Sequence, residues 1–256
     1  MGIKLGNKKG EITTSKIVTI ILLVLGFGIA LYFWFTVNLG NLTDEQICHN
    51  SVIQKATGQG IVGKLDCRTQ YICISGGGEC EGINPSDTIS VDAGNKEEIM
   101  KAIADEMATC WWMFGEGQAD YIGFGSTSYI GSTACAACSI IKFDNNIQER
   151  SYIIPTSEFW AYLNSIKKGD SQTYFSYIYP PIDINYALDY ADENNFKLRF
   201  DGDTYLVMTG MTKDPSLKGI GIWEALSEKN YILPAFGTFE ETSLNYHCSD
   251  FVTKST

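Results

Sequence analysis

An uninterrupted apolar run near the amino terminus constrains this chain more than any other feature of its sequence. From Ile17 to Val37 it reads IVTIILLVLGFGIALYFWFTV, 21 residues without a charged side chain. A helix of that length spans the hydrocarbon core of a bilayer, which is about 30 Å thick. A helix at the surface of a soluble domain carries polar positions on one side. We therefore predict a transmembrane helix at 17–37, in contact with the lipid bilayer.

The charges on the two sides of this run predict its orientation. Residues 1–16 carry four lysines and one glutamate, a net charge of +3. Because positive flanks stay in the cytoplasm, we predict a cytoplasmic basic leader at 1–16, a connector at 38–47 and an extracytoplasmic domain at 48–256. The part from Leu39 onward has a net charge of −14, which repels nucleic acid. The chain is thus predicted to be a single-pass cell-membrane protein without a nucleic-acid partner.

The leader allows a second interpretation. Lys8-Lys9-Gly10 stands just before the apolar run, and a basic-Gly site at this place resembles the leader of archaeal type IV pilins, which is cut before the helix. A conventional signal peptide is cut behind its apolar region at small residues, and no Ala-x-Ala pattern follows Val37. An uncleaved signal anchor and a pilin-like leader cut after Gly10 both remain open.

All eight cysteines lie beyond the apolar run. An even number of cysteines in an exported domain is typical of disulfides, each of which contributes about 2–4 kcal/mol. Eight cysteines can pair in 105 ways, so the connectivity stays open. The disulfide candidates are Cys48, Cys67, Cys73, Cys80, Cys110, Cys135, Cys138 and Cys248.

Helix and strand patterns alternate without a regular rhythm beyond the connector, which favours an α+β class, a disulfide-stabilised domain of mixed helices and strands. The clearest helix is expected at about 96–114, with Asn95 as its N-cap, Glu98 completing a capping box and Gly115 ending it. The other predicted elements are strands at 69–75, 120–125, 139–143 and 231–236, helices at 157–168, 171–179, 184–195 and 221–230, and a β-hairpin across 196–210.

The apolar stripe of the helix at 96–114 separates two adjacent tryptophans. Trp111 borders the stripe, whereas Trp112 falls far from it at 100° per residue. One interpretation is that the following loop folds back over Trp112. The other is that Trp112 contacts a protein partner or a neighbouring subunit, because tryptophan is enriched at interfaces. The stripe consists of Ile99, Ile103, Met107, Cys110 and Phe114.

Few residues suggest a reaction. Cys135 and Cys138 form a C-x-x-C pair, but a strand pattern follows them, whereas a redox-active thiolate needs a stabilising helix start. We predict structural disulfides to separate partners.

His49 and His247 each adjoin a cysteine, yet a zinc site needs three or four close ligands. Glu116 lies between two glycines that suit a turn. We assign no catalytic residue, metal or cofactor, and a non-enzyme is favoured.

Several stretches together resemble an uncharacterised family of archaeal membrane-anchored proteins, familiar chiefly from small-genome lineages. They cover roughly residues 10–180 and read GEITTSKIVTIILLVLGFGIALYF, ICHNSVIQKAT, LDCRTQYICI, IADEMATCWWMFGEG and CAACSIIKFD. The resemblance implies a single-span protein with a cysteine-bearing ectodomain, and it brings no catalytic residue.

These observations predict a membrane-anchored extracytoplasmic structural or interaction protein of the archaeal cell envelope. Two alternatives remain. One is a type IV pilin-like filament subunit, whose apolar helix packs into a filament core. The other is an anchored extracytoplasmic enzyme, redox or hydrolytic.

Overall fold

The chain divides into two compact units, Met1–Thr43 and Asp44–Thr256, and each is described by itself. The structure is a computed structural model. It describes residues 14–39, 42–58, 65–122, 133–180, 182–200, 204–212, 231–238, 248 and 250–254.

One helix, α1 (Thr14–Leu39), forms the described part of the first unit. At about 1.5 Å per residue its 26 residues are long enough to cross a hydrocarbon core. The side chains from Lys16 to Phe33 are all exposed. Within the described residues, this is the one helix whose length and composition suit a membrane span, a test that a signal sequence near the amino terminus also passes. The predicted apolar helix is confirmed, and its insertion into a membrane stays a proposal.

The second unit mixes helices and strands, which confirms the predicted α+β class. Its helices are α2 (Asp44–Thr57), α3 (Lys96–Met113), α4 (Asn145–Gln148), α5 (Thr156–Ser165), α6 (Tyr174–Ile178) and α7 (Ile184–Glu193). Its strands are β1 (Gln70–Ser75), β2 (Asp87–Ser90), β3 (Thr133–Phe143), β4 (Ile153–Pro155), β5 (Lys167–Lys168), β6 (Gln172–Thr173), β7 (Lys197–Arg199), β8 (Tyr205–Thr212), β9 (Tyr231–Thr238) and β10 (Asp250–Phe251).

A mixed sheet with the strand order β2-β1-β3-β8-β9 organises this unit. Strand β1 is parallel to both β2 and β3, whereas β8 is antiparallel to β3 and β9. The connection β2–α3–β3 carries the chain from one side of β1 to the other. Strand β10 pairs in parallel with the beginning of β3. Two further antiparallel pairs, β4–β7 and β5–β6, lie outside this sheet.

Helix α3 supplies the largest helical share of the core. The Asn95 side chain accepts a hydrogen bond from the Glu97 N–H at 3.1 Å, so the predicted N-cap is confirmed. Glu98 instead accepts from the Asp92 N–H and the Asn95 side chain, so the reciprocal capping box is wrong. The five predicted stripe residues are all buried, and each buried apolar side chain contributes about 1.5–3 kcal/mol.

Some local predictions differ from the structure, and one lies outside the described residues. Residues 120–122 are not in a strand, and the rest of the predicted strand at 120–125 lies outside the described residues. The hairpin across 196–210 is wrong, because β7 pairs with β4 while β8 pairs with β3 and β9. Helix α2 was not foreseen, and it begins inside the predicted connector at 38–47, into which α1 also extends. The predicted helix at 221–230 lies outside the described residues.

Candidate functional site

Every cysteine of the chain lies in the described part and is paired. The four disulfides are Cys48–Cys67, Cys73–Cys80, Cys110–Cys138 and Cys135–Cys248. The predicted disulfide-stabilised domain is therefore confirmed, and one of the many open connectivities is selected.

The C-x-x-C pair lies inside β3 and points to both faces of the sheet. The register against β8 shifts between Ala137 and Ser139, and Cys138 is the extra residue of this β-bulge. Cys138 belongs to the core cluster that contains α3, whereas Cys135 packs with Leu206 on the other side. The two thiols therefore form disulfides with different partners, as predicted.

The bridge formed by Cys138 is too deeply buried for thiol–disulfide exchange. Cys138 is bonded to Cys110, and the exposed fractions of Cys110 and Cys138 are 0% and 3%. An attacking thiolate must reach a sulfur atom directly, and burial prevents that approach. The bridge instead fixes α3 onto β3.

The disulfides join outlying segments to the central strands. The bridge to Cys248 holds the segment that contains β10 against β3, where Val252 N–H also donates to the Cys135 carbonyl at 2.9 Å. Lys254 N–H donates to the Cys67 carbonyl at 2.9 Å, and Cys67 is bonded to Cys48 of α2. These contacts connect α2, β10 and the start of β1.

Trp112 is half-buried, and a side chain from α2 covers one face of its ring. The His49 ring stacks on it with a centroid distance of 4.1 Å and an interplanar angle of 8°. His49 Nδ1 also lies 2.7 Å from the Trp112 carbonyl oxygen. One face of the Trp112 ring is thus covered by a residue of an upstream helix, and cover by the following loop stays a prediction. A contact of the rest of this ring with a partner stays a prediction.

Among the described residues, no group of three or more His, Cys, Asp or Glu side chains is placed to hold a metal ion. His247, one of the two histidines that adjoin a cysteine, lies outside the described residues.

Glu116 holds the end of α3 against α6. Its backbone is left-handed, with a φ of 54°, and its N–H donates to the Trp111 carbonyl at 3.0 Å. Its carboxylate accepts a hydrogen bond from the Tyr177 hydroxyl at 2.6 Å. Burial, and then this carboxylate, raise the pKa of Tyr177 above its ordinary value. The hydrogen bond between Glu116 and Tyr177 therefore positions the end of α3.

Glu106 is the titratable residue that the sequence analysis missed. It is partly buried on α3, one turn before Cys110. The pKa of Glu106 is raised to about 7, mainly by burial and in addition by the carboxylates of Glu45 and Asp87, while the Ser139 hydroxyl opposes the shift. That hydroxyl is itself buried without a well-formed hydrogen bond in the described part of the chain. The sequence carried a usable signal for the burial of Glu106, because this residue lies three positions after Ile103 and borders the apolar stripe of the helix.

Three aromatic rings, of which the middle one is half-buried, form a row around α7 that we call the aromatic row: Tyr186, Tyr190 and Phe196. Their successive ring centroids are 6.4 and 6.0 Å apart. Tyr186 is 51% exposed and Phe196 is 47% exposed. Contiguous exposed apolar surface is typical of interaction sites, so the row is a candidate contact surface.

Comparison with known protein families, with curated proteins and with solved structures finds no match. The candidate sites therefore rest on the geometry of this chain alone.

Proposed function

We propose that this chain is a membrane-anchored extracytoplasmic interaction protein of the cell envelope, belonging to the archaeal single-span family that its sequence resembles. The observation that carries the proposal is the pairing of all eight cysteines in a unit that follows an exposed apolar helix. Disulfides persist in oxidising compartments outside the cytoplasm and are rare inside it.

The charge distribution supports the direction of insertion. The net charge of +3 before the apolar run belongs on the cytoplasmic side, and the acidic remainder with its disulfides belongs outside. A strongly acidic domain is soluble and attracts basic partners. Helix α1 then holds that domain at the membrane surface.

The second unit has surface features that suit a binding role. The two end rings of the aromatic row, Tyr186 and Phe196, are exposed, and rings of this kind provide large contact area at low entropic cost. The residues first considered for chemistry serve structural contacts instead: Cys138 is bonded to Cys110 and Glu116 accepts from Tyr177. An interaction role needs only the exposed surface of this unit and no reactive side chain.

The topology is tested by protease treatment of intact cells that produce the full chain with a tag at each end. We expect the C-terminal tag to be removed from intact cells and the N-terminal tag only after lysis. Non-reducing peptide mapping should recover the four bridges. A C-terminal tag protected in intact cells, together with alkylatable free thiols, would contradict the proposal.

The interaction role is tested with a photo-crosslinking residue at Tyr186 or Phe196 in native membranes. We expect a discrete crosslinked species from both positions. Phe251 is the matched control, because it is an exposed aromatic residue outside the aromatic row. An identical crosslinking pattern from all three positions would remove the row from the proposal.

The pilin-like alternative is favoured by one observation. Helix α1 begins at Thr14, a few residues after Gly10, and continues through Leu39. A leader cut after Gly10 would leave such a helix at the start of the mature chain. Sequencing the mature amino terminus decides between the two, since Glu11 as the first residue supports the pilin-like subunit and Met1 excludes cleavage.

A further inference from the structure

Three parallel strands, β2, β1 and β3, end at the same edge of the sheet. Their carboxyl ends lead into three loops: the glycines at 76–78 after β1, residues 91–95 after β2, and residue 144 just before α4 after β3. In sheets of this kind, ligands bind in the crevice outside the carboxyl ends of the strands.

A cleft of about 440 Å³ opens at this edge. This volume lies within the range of small-molecule sites, roughly 300–1,000 Å³. Its lining comes from the first two of these loops, from α4 and from the two residues after α4, and consists of Gly76, Asp92, Ala93, Asn146, Glu149 and Arg150. The charged residues among these are exposed and therefore accessible to a ligand.

The base of the cleft is held in place by contacts between the loops. A Cβ on Gly76 would come within 2.5 Å of the Ala93 Cβ, so glycine allows the first two loops to meet. The fully buried Asp144 accepts from the Gly78 N–H at 2.6 Å and from the Ser75 hydroxyl at 3.1 Å. Asn146 donates to the Gly76 carbonyl at 3.2 Å. The cleft is therefore arranged before any ligand enters.

The charges in the cleft are open to a ligand. Within the described part of the chain, the side chains of Glu149 and Arg150 make no hydrogen bond or ion pair. One carboxylate oxygen of Asp92 accepts from the Gly94 N–H at 2.8 Å, and the other has no partner there. Two carboxylates and one guanidinium match a ligand that has two cationic groups and one anionic group.

We propose that this cleft binds a basic amino acid such as lysine or arginine, an activity beyond the interaction role. The guanidinium of Arg150 takes the ligand carboxylate in a bidentate contact, which suits its planar fork. Asp92 and Glu149 take the α-ammonium group and the cationic end of the ligand side chain. Asn146 and the Gly76 backbone supply uncharged polar contacts along the cleft.

The proposal is tested by isothermal titration of the full chain in detergent micelles with L-lysine and L-arginine. We expect a dissociation constant on the order of 1 mM or below for at least one of them. Arg150→Gln should weaken binding by about tenfold or more, because a charged bidentate contact is lost. Glu149→Gln should weaken it by a similar factor. Arg199→Gln and Glu193→Gln are matched controls on exposed residues of β7 and α7, and should bind like the wild type.

A second measurement changes the ligand instead of the protein. L-lysine methyl ester lacks the carboxylate, so it should bind the wild-type chain about as weakly as L-lysine binds Arg150→Gln. The proposal is overturned if neither amino acid binds at about 10 mM, if the ester binds as well as L-lysine, or if the control variants lose as much affinity as the cleft variants.

Discussion

Replacing Glu106 by glutamine is expected to stabilise the second unit at neutral and alkaline pH. The carboxyl group lies partly buried between α3 and the sheet, near the carboxylates of Glu45 and Asp87. Its ionised form is therefore more costly in the folded chain than in the unfolded chain. Glutamine keeps the shape and the ability to bond to the Ser139 hydroxyl, and removes the charge.

The magnitude follows from the displaced pKa of Glu106, about 7 against an ordinary value of 4.5. Below the ordinary value both states are protonated, so this group does not affect stability. Between the two values the folded state binds more protons than the unfolded state, and stability falls as pH rises. Above pH 7 the full penalty of about 3 kcal/mol is present. Glu106→Gln should remove this penalty.

The assay is urea unfolding of the wild-type chain and of Glu106→Gln between about pH 4 and pH 8, with disulfides intact. The difference in unfolding free energy between the two chains should grow with pH and level off above pH 7. Glu193, an exposed acid on α7, gives the control substitution to glutamine, which should show no such growth. A constant difference across the pH range, or a less stable Glu106→Gln at pH 8, would refute the reasoning.

Three further changes test other parts of the unit. Cys135→Ser combined with Cys248→Ser opens a loop of 113 residues and should cost about 5 kcal/mol in chemical unfolding. Trp112→Ala and His49→Ala, made singly and together, should show a coupling energy of about 1 kcal/mol, because the two rings stack. Gly115→Ala should cost at least about 2 kcal/mol, because φ is +77° there and a Cβ would lie 2.5 Å from another side chain.

Each of these changes has a matched control. Opening Cys73–Cys80, whose separation is 7 residues, should cost only about 2 kcal/mol, and equal losses for the two bridges would contradict the loop argument. Additive effects at Trp112 and His49 would mean that the stack contributes nothing. Gly169 has a φ of +73° and open space around it, so Gly169→Ala should cost less than the change at Gly115.

The parts of the fold that were predictable carry a local signal. The stripe of α3 recurs at helical spacing, and β1 and β9 are short apolar runs. Helix α2 lacks such a stripe, since Cys48 and Val52 are its buried residues, and it is held by contacts that are distant in sequence. The hairpin across 196–210 was predicted from the turn signal Asp201-Gly202 in the sequence. It was wrong because β7 pairs with the remote strand β4 instead.

The candidate site was less predictable than the fold for the same reason. The disulfide partners of Cys135 and Cys138 come from positions that are 113 and 28 residues away in the sequence. The raised pKa of Glu106 depends first on its burial and then on carboxylates contributed by α2 and β2. The partial cover of Trp112 comes from a residue 63 positions away. In each case the property of the residue depends on a neighbour that is distant in the sequence and is brought close only by the tertiary fold.

The place of β10 beside the first residues of β3 sets an order of events during synthesis. Ala134 pairs with Asp250, and Cys135 waits for Cys248 across 113 residues. Until the segment that contains β10 has been synthesised, one thiol of the central strand is without its partner and one stretch of strand edge is open. Such edges can pair with other chains. The nascent chain is therefore exposed to mispairing at β3 until β10 is in place.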